Sequence, residues 1–232
     1  MNMTGADQGG GKDRARLLAN IPGRYHLEKW SAGSERPTTV FACRIQRISP
    51  SNLLLSAPVS GDVGDWVIGQ FNEFGRLRGQ IERTLGFGFA MSLELDSEAR
   101  RGMADRIAWL DRHKNYAVTD TRRHSRLLPR DPQSVIVLAD ASLVPCFVID
   151  MSNSGAAVSA ELDISVGMPL AIGTVVGRVV RMLDHGFAVR FIETIATTEL
   201  EARLIRSPEQ LLPDQQRRLH AATRVLTAAG AR

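Results

Sequence analysis

Two cysteines in 232 residues, Cys43 and Cys146, leave no CxxC pair. The histidines, His26, His113, His124, His185 and His220, are scattered. A structural zinc site needs thiolates or imidazoles clustered at short spacing, so no metal is expected. No apolar run approaches the roughly 20 residues that a membrane-spanning helix requires. The first residues lack the basic start and apolar segment of a secretory signal, so a cytoplasmic location is expected. Aromatic residues are 6%, and none alternates with Lys or Arg in the pattern that stacks single-stranded nucleic acid. The surplus of one charge sign is small: 29 basic against 25 acidic residues, a net charge of +4. That is too narrow for a general DNA or RNA binder. A phosphate loop ending at Gly11-Lys12 would need glycine where Ala6 stands, and Asp13 replaces its Ser or Thr. No nucleophile–base pair and no flavin motif is visible, so catalysis is not expected and no cofactor is implied.

What is present is an internal repeat. Shifting the chain by 103 residues sets Cys43 on Cys146, Ser49 on Ser152, Ser56-Ala57 on Ser159-Ala160 and Val63-Gly64 on Val166-Gly167. Further on the offset is 98, where Gly79 meets Gly177, Arg83 meets Arg181 and Gly88-Phe-Ala90 meets Gly186-Phe-Ala188. Two copies of one domain follow. Equivalent cysteines occupy the same interior position in separate cores, which argues against a bridge between them. In the second copy short apolar runs at 135–138, 146–149, 156–158, 169–172, 175–180 and 187–191 are separated by Asp, Ser, Asn and Gly. Many short strands at regular spacing predict a sandwich or barrel. The first copy shows matching runs near 41–45, 53–55, 66–68, 77–81 and 87–93.

A helix is expected after each copy: Ala99–Arg112, capped by Ser97, and Glu193–Arg206. A last helix from about Asp214 to Ala228 carries an apolar stripe of Leu219, Ala222 and Leu226. Packing onto a barrel is one reading of that stripe; a homodimer or partner contact is the other. The expected boundaries are a disordered arm at 1–18, a first barrel and helix at 19–116, a second at 117–206, and the C-terminal helix at 207–232.

The joint between the copies carries the chemistry. It reads Asp120-Thr-Arg122-Arg123-His124-Ser125-Arg126, followed 24 residues after Arg126 by Asp150-Met-Ser152-Asn-Ser-Gly155. RxxxR opening a β domain, then DxSxxG between two strands, resembles the PilZ domain, a bacterial receptor module for cyclic di-GMP. The later Gly177-Arg-Val-Val-Arg181 and Gly186–Phe191 are similar to that family's closing strands. The resemblance spans about 120–206 and extends in degenerate form to about 20–115, as in the flagellar-brake arrangement of two barrels. It implies two tandem six-stranded antiparallel β-barrels, each followed by an α-helix, plus a C-terminal helix.

The resemblance makes cyclic di-GMP the ligand, with Arg122 and Arg126 clamping phosphate and stacking on guanine, and Arg123 and Arg130 as auxiliaries. A guanidinium fork suits both tasks. Arg126 and Arg130 also satisfy RxxxR, but Leu-Leu-Pro after Arg126 favours the first register. Asp150 would accept from a guanine edge, Ser152 would add a hydroxyl, and Gly155 is expected to give a turn with positive φ. In the first copy, Ala19, Gly23, Arg47 and Asn52 stand where Arg122, Arg126, Asp150 and Gly155 stand in the second. The first barrel is therefore expected to keep the fold and lack the site. The alternative is a protein-interaction scaffold of the same fold that binds no nucleotide. Motility, polysaccharide synthesis and attachment are outputs regulated through such domains, by way of an unidentified protein partner.

Overall fold

In the computed structural model, which describes residues 21–30, 39–113, 126–211 and 213–230, two closed six-stranded antiparallel barrels stand side by side. The first comprises β1 (Ile21–Leu27), β2 (Phe41–Ile48), β3 (Asn52–Ser56), β4 (Trp66–Phe71), β5 (Gly75–Leu85) and β6 (Gly88–Leu93). Helix α1 (Ser97–Arg112) follows. The second comprises β7 (Gln133–Val137), β8 (Leu143–Ser152), β9 (Gly155–Ser159), β10 (Pro169–Ile172), β11 (Val175–Leu183) and β12 (Gly186–Phe191). Helices α2 (Leu200–Leu204) and α3 (Pro213–Gly230) close the chain. The strand order is the same in both barrels: β1-β2-β3-β6-β5-β4 and its counterpart β7-β8-β9-β12-β11-β10.

The repeat is borne out at the level of irregularities. A bulge interrupts the ladder between Ile45 and Arg47 in β2, and again between Val148 and Asp150 in β8. A second pair falls between Ile81 and Arg83 in β5 and between Val179 and Arg181 in β11. Gly88 and Gly186, at φ +149° and +154°, open β6 and β12. A Cβ on either would lie 2.1 or 2.0 Å from a carbonyl oxygen of the neighbouring strand, so only glycine fits. Cys43 and Cys146 are buried and unbridged, one in each core, and burial pushes both thiols well above their ordinary range.

Each barrel is filled by alternate side chains of its strands and stoppered by its helix. Met103 and Ile107 of α1 join Phe71, Phe89 and Met91 in the first core; Leu200 and Leu204 of α2 join Phe187 and Val189 in the second. The stripe on α3 packs on a barrel: Leu219, Ala222 and Leu226 cover Val135, Val137, Ala171 and Val176 on the outside of the second.

Several expectations need correction. The cap of α1 is Asp96, not Ser97; its Oδ1 accepts from the amides of Glu98 and Ala99 at 3.0 and 2.8 Å. The helix expected at 193–206 shrinks to Leu200–Leu204. Upstream, Asn153 captures the chain: its carbonyl accepts from the Ile195 amide at 2.9 Å and its side chain from the Thr197 hydroxyl at 3.0 Å. Ile195 is thereby turned into the core. Strand β1 went unread because Pro22 and Gly23 interrupt its apolar pattern. It also changes one equivalence. Gly23 lies opposite Cys43 as Ser134 lies opposite Cys146, so Gly23 is the counterpart of Ser134 and not of Arg126. The connection from β1 to β2 is longer than that from β7 to β8, which breaks the offset there. The expected N-terminal arm and Ala19 lie outside the described residues.

The barrels meet face to face along β2 and β8. The Ala42 amide donates to Ser159 Oγ at 3.1 Å. Gln133 Nε2 reaches across to Ser56 Oγ and to the carbonyls of Ala57 and Phe87, at 3.3, 3.1 and 3.1 Å. Between them lies Arg44, 2% exposed, with its guanidinium 5.5 Å from the Phe147 ring.

Candidate functional site

The bulge in β8 decides which way the motif faces. Cys146, Val148 and Met151 point into the core, a spacing of two and then three. A strand alternates strictly, so without the extra residue Asp150 and Ser152 would point inward. With it they stand on the outside of the barrel. Both lie on β8 itself; the turn to β9 is only Asn153-Ser154. Gly155 does not adopt a positive φ. Its lack of a side chain is needed for close approach instead: a Cβ there would sit 2.5 Å from the Val189 carbonyl oxygen.

The chain reaches β7 along this same face. Leu127 and Met151 exchange backbone hydrogen bonds of 2.8 and 2.9 Å, a two-residue bridge that sets Arg126 beside Asp150. Arg126 donates to Asp150 Oδ2 at 2.8 Å, with the two side chains 37% and 19% exposed. Ser152 Oγ donates to the Gly155 carbonyl at 3.2 Å. These four residues line one open cleft of about 400 Å³. Arg122 and Arg123 lie outside the described residues. Arg130 is not in the cleft; its amide donates to Glu201 Oε1 at 2.7 Å, so Arg126 is the arginine that the strand entry presents.

Sequence reasoning missed two cations. Arg181, beside the β11 bulge, and Arg190 of β12 line the cleft opposite Asp150, with the exposed Val180 between them and the floor of Ala156, Ala157 and Ala188. The signal was in the text: in Gly177–Arg181 and Gly186–Phe191 each arginine follows an apolar run on the strand exterior. A cleft with three guanidinium groups, one carboxylate and a floor of small apolar side chains suits an anionic ligand with a flat, hydrogen-bonding face.

Arg44 also belongs here. It donates to the carbonyls of Pro129 and Ile149 at 2.8 and 2.7 Å, and to Val148 at 3.5 Å. Ile149 is the extra residue of the bulge, and Pro129 ends the segment that carries Arg126. One buried side chain of the first barrel thus holds both the base of the arginine arm and the backbone beneath Asp150. Burial lowers the Arg44 pKa, and the nearby Asp150 carboxylate opposes that shift. The equivalent face of the first barrel differs in charge. Arg47 follows its bulge where Asp150 follows the other, and Asn52, at the position of Gly155, donates to Glu82 at 2.9 Å.

Among solved structures, the chain is similar to PlzA of Borreliella burgdorferi in complex with c-di-GMP. Identity is 13% over 81% of this chain and 87% of that one, with a TM-score of 0.26. The Bacillus subtilis inhibitor of motility MotI/DgrA matches at 13% identity over 81% and 94% of the two chains, TM-score 0.26. YcgR of Escherichia coli in complex with c-di-GMP matches at 12% over 91% and 86%, TM-score 0.23. No curated protein matches by sequence. Residues 120–207, which include the whole second barrel, match the family model of the PilZ domain.

Proposed function

We propose that the chain is a cyclic di-GMP receptor that binds the dinucleotide through the second barrel and passes the signal on through the arrangement of its two barrels to a protein partner. The observation that carries this reading is the Arg126–Asp150 pair at 2.8 Å on the lip of the cleft. Each of the two groups occupies the partner that the ligand would replace. A phosphate takes the Arg126 guanidinium, and the freed Asp150 carboxylate accepts from N1–H and the amino group of a guanine. The exchange trades one partly exposed ion pair, worth at most about 1 kcal/mol, for charge-assisted bonds at both ends. Arg122 and Arg123 close over the ligand from the arm, Arg181 and Arg190 meet its phosphates from the strands, and Ser152 and Gly155 shape the floor. No step needs a nucleophile, so the protein acts by binding and not by catalysis.

The route to the first barrel is Arg44, because ordering the arm at Arg126 acts on a backbone that this side chain grips at Pro129. Ligand-driven closure would then bias the inter-barrel geometry. The action is cytoplasmic in this scheme, and control of motility, exopolysaccharide or attachment is the output. Calorimetric titration with cyclic di-GMP tests it. Micromolar or tighter binding, lost in Arg122→Ala/Arg126→Ala, is expected; a folded, nucleotide-free protein that takes up no heat would move the reading to an interaction scaffold.

A further inference from the structure

The outer wall of the first barrel carries a second polar cleft that shares no residue with the first. Arg24 of β1 lies opposite Gln70 of β4, and Gln70 lies opposite Arg76 of β5. Directly paired residues face the same side, so two arginines flank a glutamine in one row across three strands. His26 stands two residues along from Arg24 on the same face, since Tyr25 and Leu27 point inward. The turn between β11 and β12 of the second barrel leans over one end. Its Asp184 lies 3.6 Å from Arg24, and its His185 lines the wall with Nδ1 buried and without a hydrogen-bond partner. Two adjoining cavities of about 400 and 330 Å³ share Arg24 and Gln70.

The charge of this cleft is not balanced by its surroundings. Among the described residues Arg76 has no ion pair. Arg24 has only the long contact to Asp184, whose side chain is 87% exposed. The nearby carboxylates are engaged elsewhere: Glu28 with Arg78, and Glu73 with Arg106. Both histidines feel the excess. Burial lowers the pKa of His26 and of His185; the charge of Arg76 adds to the first shift and Glu28 opposes it, while Arg24 adds to the second and Asp184 opposes it. Barrel stability gains little from exposed arginines two strands apart. A concave, cationic setting with amide and imidazole groups at hand is what a phosphate ester requires.

We infer that this inter-barrel cleft binds a small phosphate-bearing ligand of mononucleotide size. Arg24 and Arg76 take the phosphate oxygens from either side of Gln70, and Asn72 and His185 offer hydrogen bonds to the remainder. Each cavity falls within the size range of small-ligand pockets, roughly 300–1,000 Å³. The first barrel supplies most of the lining and His185 of the second closes one end, so a ligand that reaches His185 touches both barrels. Coupling to any ligand of the second barrel would be reciprocal.

The test uses the full chain and inorganic pyrophosphate as probe, followed by ¹H–¹⁵N spectra of backbone, Gln, Asn and His side-chain resonances at constant ionic strength. Saturable shifts at His26, Gln70, Asn72 and His185 are expected, with sodium chloride at equal ionic strength producing none. Arg24→Gln/Arg76→Gln should weaken the probe at least tenfold while cyclic di-GMP titrates as in the wild type. Gln70→Glu, a change at an exposed position, should do the same if the double variant does not fold. The inference is overturned if no saturable shift appears, if the variants bind pyrophosphate undiminished, or if the shifts are confined to residues around Arg126, Arg181 and Arg190. None of these outcomes depends on whether cyclic di-GMP binds the second barrel.

Discussion

Replacing Arg44 by methionine removes the guanidinium and keeps an unbranched stem beside Phe147. The carbonyls of Pro129 and Ile149 then lose donors at 2.8 and 2.7 Å. A buried group left without its partner costs about 1–3 kcal/mol, so the two together cost about 2–6 kcal/mol. Against this stands the release of a buried charge that has no ion-pair partner among the described residues, a relief of some kcal/mol. The net expected loss is about 2–3 kcal/mol. For a chain of this length each kcal/mol moves the melting temperature by about 2–4 °C, so calorimetric scans should show a fall of about 4–12 °C. Arg44→Lys should recover only part of it, because one ammonium cannot span carbonyls from two separate segments as a planar fork does. Cyclic di-GMP should bind about tenfold more weakly to the methionine variant, since one further residue of the arm would then be ordered at binding, at about 1–2 kcal/mol each. A melting temperature within 1 °C of the wild type, or full recovery by lysine, would refute the assignment of Arg44 as the grip between barrels.

Asp150→Asn should lose cyclic di-GMP affinity by more than tenfold in calorimetry while melting within about 2 °C of the wild type, because only a partly exposed pair is broken. Gly155→Val should destabilise by about 1–3 kcal/mol in a denaturant titration, since its Cβ meets the Val189 carbonyl at 2.5 Å. Acidification should lower stability. His26 and His185 have folded pKa values below the 6.5 of the free side chain. The unfolded chain therefore takes up their protons first, and stability falls as pH drops through about 6.5. Melting scans from pH 7.5 to 5.5 should show this slope, reduced in the His26→Gln/His185→Gln variant.

The barrels were legible because their irregularities repeat. An offset of 103 from Cys43 to Cys146, and of 98 from Gly88 to Gly186, fixed two copies before any strand was paired. The motif residues on β8 were legible by type and spacing. Their orientation was not, since it depends on a bulge that adds no distinctive residue to the text. Arg181 and Arg190 were hidden for another reason: they join Asp150 only when the barrel pairs β12 with β9. Arg44 could not be read at all, because its partners are main-chain oxygens about 85 and 105 positions away. The second helix was overread where Asn153 outcompeted helical hydrogen bonding for the chain at Ile195 and Thr197.

Both barrels close, with β1 paired to β4 over five positions and β7 paired to β10 over two. Among the described residues every barrel strand is paired on both sides, so the barrels offer a partner no long free edge to which it could add a strand of its own. Recognition has to be read from side chains on the barrel walls and from the helices. Signals that alter which wall is exposed can therefore change partners without unzipping a single ladder.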